Sequence, residues 1–407
     1  MRSSRSMSVV RAAGLAVLAL FIADTTHAAQ PFGPDGGEVS LSVRLRAEHV
    51  DQQGVNRTAD ANTARIALGY RTPRIDAFQA FVEGEVVESL GSARYNSRVN
   101  NRTSYPTVVD PDTLELNQAY LQFDGIPNVG VTVGRQVINM ANQRHVGAVG
   151  FRQNHQSFDA LRVTSNAFDN VTADVFYATE VHRIFGRRSA AGSFNTDLFA
   201  LNVRVMPTEA FSLSVYGHLF DIDDLAAQSS RTVGARATAK RPLGSWMGSL
   251  NVEIARQSDY ANNPVDFDAG YLAVEPGVSK GPLALRAKGA VIEGRGDAAF
   301  QFPFGTSHAF QGWADKFLTT PDNGIREFAI TAIYKAPPGT LWSGVVATVS
   351  AQHFTSDTGD RYGEELDLRL AKRLTKNATV EAKFADYKAD GFSVDTQKWW
   401  LTLALSF

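Results

Sequence analysis

From Thr396 to Phe407 every second side chain is apolar. Trp399, Leu401, Leu403, Leu405 and Phe407 alternate with Trp400, Thr402, Ala404 and Ser406. A period of two is the repeat of a β-strand, with one face toward an apolar medium and the other toward something wetter. The same two-faced pattern recurs along the chain. Val39, Leu41, Val43, Leu45 and Ala47 alternate with Ser40, Ser42, Arg44 and Arg46; Ala64, Ile66, Leu68 and Tyr70 oppose Arg65; Val82 and Val86 oppose Glu83 and Glu85. Val171, Ala173 and Val175 oppose Thr172 and Asp174, Leu201 and Val203 oppose Asn202 and Arg204, and Val233 and Ala235 oppose Arg236. Leu250, Val252 and Ile254 oppose Asn251 and Glu253, and Leu283, Leu285 and Ala287 oppose Arg286 and Lys288. Leu366, Leu368 and Leu370 oppose Asp367 and Arg369, and Val380, Ala382 and Phe384 oppose Glu381 and Lys383. One such strand could pack on a soluble core. Many of them, with arginine and glutamate at mid-strand, require a wet interior inside an apolar exterior, which is an all-β, transmembrane antiparallel barrel.

The connections alternate in length. Short ones carry turn residues, as in Asp124-Gly125-Ile126-Pro127-Asn128, Lys280-Gly281-Pro282 and Ala336-Pro337-Pro338-Gly339. Long ones lie near residues 49–62, 88–112, 137–156, 179–195, 258–267 and 294–325. Short turns on one rim and long loops on the other fit an outer-membrane barrel. The expected strands fall at about 39–48, 63–72, 77–87, 113–123, 129–136, 157–165, 170–178, 196–205, 211–220, 231–240, 247–257, 268–276, 283–293, 326–335, 344–354, 364–372, 379–388 and 396–407. That makes about 18. Sixteen is the alternative, because apolar residues fall on both faces in the strands starting at 113, 129, 268 and 326.

Composition places this barrel in a compartment. Arg2, Arg5 and Arg11 precede an apolar run from Ala12 to Ala23, and Thr26-His27-Ala28 has the small residues of a secretory cleavage site. Residues 1–28 therefore read as a cleaved signal peptide and residues 29–407 as a single barrel domain in the outer membrane of a Gram-negative bacterium. No later apolar segment is long enough for a membrane helix, which takes about 20 residues. There is no cysteine, which excludes disulfides, thiolate metal sites and cysteine catalysis. The net charge of −2, with both signs dispersed, offers no field for nucleic acid.

The predicted lumen carries Arg44, Arg46, Arg65, Arg162, Arg204, Arg236, Arg286, Lys288, Arg369 and Lys383, against Glu83, Glu85, Asp174, Glu253, Asp367 and Glu381. Arginines in excess make a path that holds carboxylate or phosphate weakly enough to release it. The structural alternative is that opposite charges pair and brace a polar lumen, with Asp367 and Arg369 as an example. His145, His155 and His308 fall in long loops with no serine in a nucleophile context and no metal-ligand spacing, so neither catalysis, nor a metal, nor a cofactor is expected.

Gly134-Arg135-Gln136, Asn142-Gln143-Arg144 and Phe158-Asp159-Ala160-Leu161-Arg162 resemble a region of the alginate-export family of outer-membrane barrels. The stretch Phe300 to Glu327 resembles that family's most recognisable loop, especially His308, Gly312-Trp313-Ala314-Asp315 and Phe317, and Gly363-Glu364-Glu365-Leu366-Asp367 resembles one of its strand starts. The resemblance implies an 18-stranded barrel exporting an anionic polysaccharide through an arginine-rich constriction helped by loops folded into the pore. It assigns Arg135, Arg144 and Arg162 to that constriction, with Asp159, Asp315 and Glu365 as charge partners and His308, Trp313 and Phe317 in a pore loop. Uptake of small anionic nutrients uses the same electropositive lumen and is the alternative; a non-conducting structural or adhesive barrel is a third reading. The expected partners are outer-membrane lipid, the anionic polysaccharide or small solute, and the barrel-assembly machinery, which would dock on the terminal Phe407.

Overall fold

A computed structural model describes residues 36–407; the expected signal peptide lies outside the described residues. The strands, in chain order, are β1 (Glu38–Gln52), β2 (Ala59–Arg71), β3 (Phe78–Ser89), β4 (Thr113–Ile126), β5 (Val129–Gln136) and β6 (Ser157–Phe168). There follow β7 (Val171–His182), β8 (Ser193–Thr208), β9 (Phe211–Ile222), β10 (Ser230–Leu243), β11 (Trp246–Asp259) and β12 (Asp268–Lys280). The ring is completed by β13 (Leu283–Ile292), β14 (Ile325–Lys335), β15 (Val345–Thr355), β16 (Arg361–Arg373), β17 (Ala378–Ala389) and β18 (Thr396–Ser406). Each strand pairs antiparallel with the next, and β1 pairs with β18, so the 18-stranded sheet closes on itself without an edge.

The faces follow the period-two pattern. On β18, Trp399 and Leu401 are 53% and 57% exposed while Trp400 and Thr402 between them are buried. On β16, Leu366, Leu368 and Leu370 point out and Glu365 and Asp367 point in. The exposed apolar residues, among them Leu161, Val215, Ile254 and Ile330, encircle the barrel. Such a band is too large for water and marks a lipid-facing surface.

Two expectations need correction. Several strands run further than expected on the long-loop side: β1 reaches Gln52, β2 begins at Ala59, and β7 reaches His182. Beyond the lipid the outer face is no longer held apolar, so the alternation ends while the main-chain ladder continues. On the other rim, the connection at Ala336-Pro337-Pro338-Gly339 is no tight turn, since it runs over 336–344 and exposes Leu341 and Trp342.

The interior is also drier than expected. Phe176, Leu198, Phe220 and Ile222 point inward and pack on Ile138, Met140 and Val146 of the β5–β6 loop and on Phe304 of the β13–β14 loop. Tyr271, Ile292, Phe354 and Tyr387 likewise receive Phe300, Phe302 and Phe317. The core of the protein therefore lies inside the barrel mouth. Strands that receive loops there are apolar on both faces, which accounts for the ambiguous period in β12 and β14.

Candidate functional site

Two loops build the site. The β5–β6 loop, residues 137–156, is tied at one end to β1, where Arg44 Nη1 donates to the carbonyls of Gly150 (3.0 Å) and Arg152 (2.9 Å) and Arg46 Nη1 donates to that of Phe151 (2.6 Å). At its other end Asn142 Nδ2 donates to Glu253 of β11 (3.0 Å), and His145 lies 3.0 Å from the hydroxyl of Tyr216 on β9. β1 and β10 lie half-way round the 18-stranded ring from one another, so the loop crosses the lumen.

The β13–β14 loop, residues 293–324, docks onto it. Gly147 N donates to the Phe304 carbonyl (3.0 Å), Thr306 N to that of Gln143 (2.9 Å), and Gln156 Nε2 to that of Phe304 (3.1 Å). Wall residues then fix the second loop: Lys288 Nζ donates to the Phe310 carbonyl (2.9 Å), and Glu365 accepts from the Ala314 N–H (2.7 Å). Gly312 sits at φ +76°, and any Cβ there would run into the Glu365 carboxylate. Only glycine fits both demands.

Where the loops meet, Asp315 accepts from His308 Nδ1 (2.6 Å), Arg152 Nη2 (2.9 Å) and Lys398 Nζ (2.9 Å). Burial alone would raise the Asp315 carboxyl, but Lys398, His308 and Arg152 outweigh it and hold it well below the usual carboxylate range. His308 Nε2 lies 2.8 Å from Lys383 Nζ. Burial, aided by Lys383, pushes the His308 imidazole down to about 3. It is thus neutral, giving Nδ1–H to Asp315 and accepting from Lys383. Trp313 covers that ammonium at 3.9 Å, and Phe317 packs deeper, against Phe354 and Tyr362. Arg144, fully buried, pairs with no carboxylate among the described residues; it is sandwiched by Phe302 (3.5 Å) and Phe310 (4.6 Å), and burial lowers its pKa.

Most predicted lumen cations have an acid within reach. Arg65 pairs with Glu85 (2.5 Å), Arg162 with Asp174 (2.7 Å), Arg236 with Glu253 (3.8 Å), Arg286 with Glu275 (3.8 Å), Lys288 with Glu327 (2.8 Å) and Arg369 with Glu381 (2.6 Å). Glu83 takes the amide of Asn117 (2.6 Å). Arg204 makes no ion pair among the described residues and lines a cavity of about 760 Å³ near the short turns, with Gln122, Asp174 and Asn202. A cavity of about 400 Å³ lies against the β13–β14 loop, lined by Arg236, Arg286, Lys288, Glu253, Trp313 and Asp367.

Three assignments fail. Arg135 and Asp159 do pair (2.7 Å), but they share a face with the exposed Val133 and Leu161, so both point outward and not into the lumen. Arg144 belongs to the loop core and does not line open lumen. Asp367 does not pair with Arg369 along β16; it accepts from Gln352 (2.6 Å), because neighbouring strands bring partners closer than the next in-facing residue of one strand does. Asp159, Glu180 and His182 bring possible ligand atoms within 4.8 Å, yet Arg135 occupies both Asp159 oxygens, so this is an ion-pair group. Arg152 and Lys398 are site residues missing from the sequence reading. Lys398 follows from the period of β18; Arg152, in a loop, gives no such signal.

Residues 38–182 match the family model for alginate export. That bears out the resemblance for the region holding Arg135, Arg144 and Arg162; the loop at 300–327 lies beyond the match. The fold is that of solved porin-like barrels. Acinetobacter baumannii OccAB1 superposes with a TM-score of 0.71 at 14% identity, covering 94% of this chain and 99% of that one. Pseudomonas aeruginosa OccK9 (OpdG) gives 0.71 at 14% identity, over 91% and 98%. Pseudomonas aeruginosa OpdK, solved with vanillate, gives 0.68 at 12%, over 91% and 98%. The protein is an outer-membrane β-barrel channel. No curated protein matches its sequence significantly. Inside this barrel the paired cations line the lumen and the two loops cross it.

Proposed function

We propose that the channel takes up small anionic solutes and does not export a polymer, and that no catalytic step is involved. The observation that carries this reading is the crossing of the lumen by two loops bonded to each other and to opposite walls. They leave cavities of about 400 and 760 Å³, a size that suits a single small molecule. Arg286, half exposed, stands 3.8 Å from a partly exposed Glu275, and a passing carboxylate exchanges with that acid at little cost in solvated surroundings. Lys288 and Arg236, held by the buried Glu327 and Glu253, add positive potential beside it. The likeness to OpdK, solved with vanillate, an aromatic carboxylate, supports the same class of solute. The match to the alginate-export model supports the polymer reading, which requires the β13–β14 loop to leave the lumen.

Proteoliposome swelling with benzoate, glutarate and a uronate trisaccharide separates the two. Benzoate and glutarate are expected to enter, and the trisaccharide only when residues 303–318 are deleted. Equal permeation of all three through the intact channel would overturn the uptake reading.

A further inference from the structure

The barrel mouth holds charges that the lumen does not explain. Loops 90–112, 183–192 and 223–229 meet over the two crossing loops and with them enclose a cavity of about 300 Å³, whose lining includes Arg98, Arg183, Phe151, Phe185, Phe302 and Leu318. Arg183 makes no side-chain hydrogen bond or ion pair among the described residues, and its Nε is buried without a partner. Its guanidinium packs on Phe185 (4.9 Å) and Phe194 (4.4 Å), and Arg98 lies over the same Phe185 at 5.4 Å. Burial and the neighbouring Arg98 push Arg183 down to about 10. The acid in the lining, Asp315, is already taken by His308, Arg152 and Lys398.

A desolvated cation without a counter-charge is costly, and a guanidinium matches a carboxylate through two parallel hydrogen bonds. Phe151, Phe185 and Phe302 give the wall flat apolar faces, and Gln156, Gln228, Gln301 and Ser307 stand between them as neutral polar groups. A volume near the lower end of ligand pockets admits one ring and a short substituent. We propose that this mouth cavity binds a planar aromatic monocarboxylate, its carboxylate on Arg183 and Arg98 and its ring against Phe151 and Phe185. The site would hold solute ahead of the crossing loops, so its biological use rests on the uptake reading; its existence does not.

The test is calorimetric titration of the full-length, detergent-solubilised protein with benzoate, benzamide and acetate, and of the variants Arg183→Gln and Arg98→Gln. Benzoate should bind, with benzamide and acetate weaker by about tenfold or more, and each variant should lose about tenfold. Arg98 is exposed, so its replacement leaves the fold intact even if Arg183→Gln does not. No benzoate binding, benzamide binding as tight as benzoate, or unchanged affinity in Arg98→Gln would overturn the proposal. Benzoate that binds through these arginines but does not permeate would overturn the uptake reading and leave the site standing. Permeation with binding unchanged in both variants would remove the site alone.

Discussion

Leu368 and Arg369 are neighbours on β16 that face opposite media, and they should respond in opposite ways. Leu368→Arg puts a charge into lipid and is expected to cost about 2–4 kcal/mol at mid-membrane. Arg369→Ala gives up a lumen pair with Glu381 that is partly solvated, worth about 0–1 kcal/mol. Urea unfolding in lipid vesicles checks both; similar losses would reverse the assignment of faces. The buried histidines give a pH dependence. His308 faces Asp315, Lys383 and Arg152, and His155 faces Arg65, Glu85, Arg44 and Asn117; burial drives each down to about 3. Free imidazole titrates near 6.5, so between about pH 6.5 and 3 the released loops bind protons that the seated ones do not. Seating is therefore complete above about 6.5 and weakens as pH falls. Single-channel currents should grow or become noisier at about pH 4.5 relative to 7.5, and a pH-independent current would contradict this. At this scale the sequence revealed which strand residues face inward, because period fixes the face. It did not reveal which acid each arginine meets, since that depends on register between strands remote in sequence.

The element that decides passage is the β13–β14 loop, and Gly312 is its most constrained point. Gly312→Val combines an unfavourable backbone conformation with a clash against Glu365, so the loop should fail to seat while the barrel still forms. Planar-bilayer conductance is expected to rise in this variant and further in the deletion of 303–318; unchanged conductance in a heat-modifiable, inserted barrel would make the loop an outer cap. Phe300, Phe302, Phe304, Phe310, Trp313 and Phe317 already show in the sequence that this loop must bury itself. What they bury against is not legible there. Phe176 on β7 and Ile222 on β9 look like ordinary strand residues until loops from both sides of the ring converge on them. All 18 strands are readable in the sequence with their ends within about four residues, because lipid imposes one periodic rule on the spans, whereas each strand extension and loop beyond the lipid answers to its own packing.

For the whole molecule, most lumen charges cancel in pairs, and cations left without one, such as Arg204, imply a modest preference for anions. Reversal potentials should favour chloride at low salt and approach neutrality between about 0.1 and 1 M, as the screening length shrinks from about 10 to 3 Å. A cation-selective channel would sink the assignment of the lumen. The seam between β1 and β18 carries a different consequence. It zips Ser42 to Ser406 at one end and Gln52 to Thr396 at the other, and Arg46 and Thr402, bonded across it, stand 356 positions apart in the chain. β1 therefore lacks one of its two partners until β18 exists. An unfinished chain offers two open strand edges and a sheet that is greasy on one side only. Such a chain aggregates if it starts to fold as it is made. Closure of the seam ties folding to delivery: the polypeptide must be kept from folding until its last strand has arrived at the membrane.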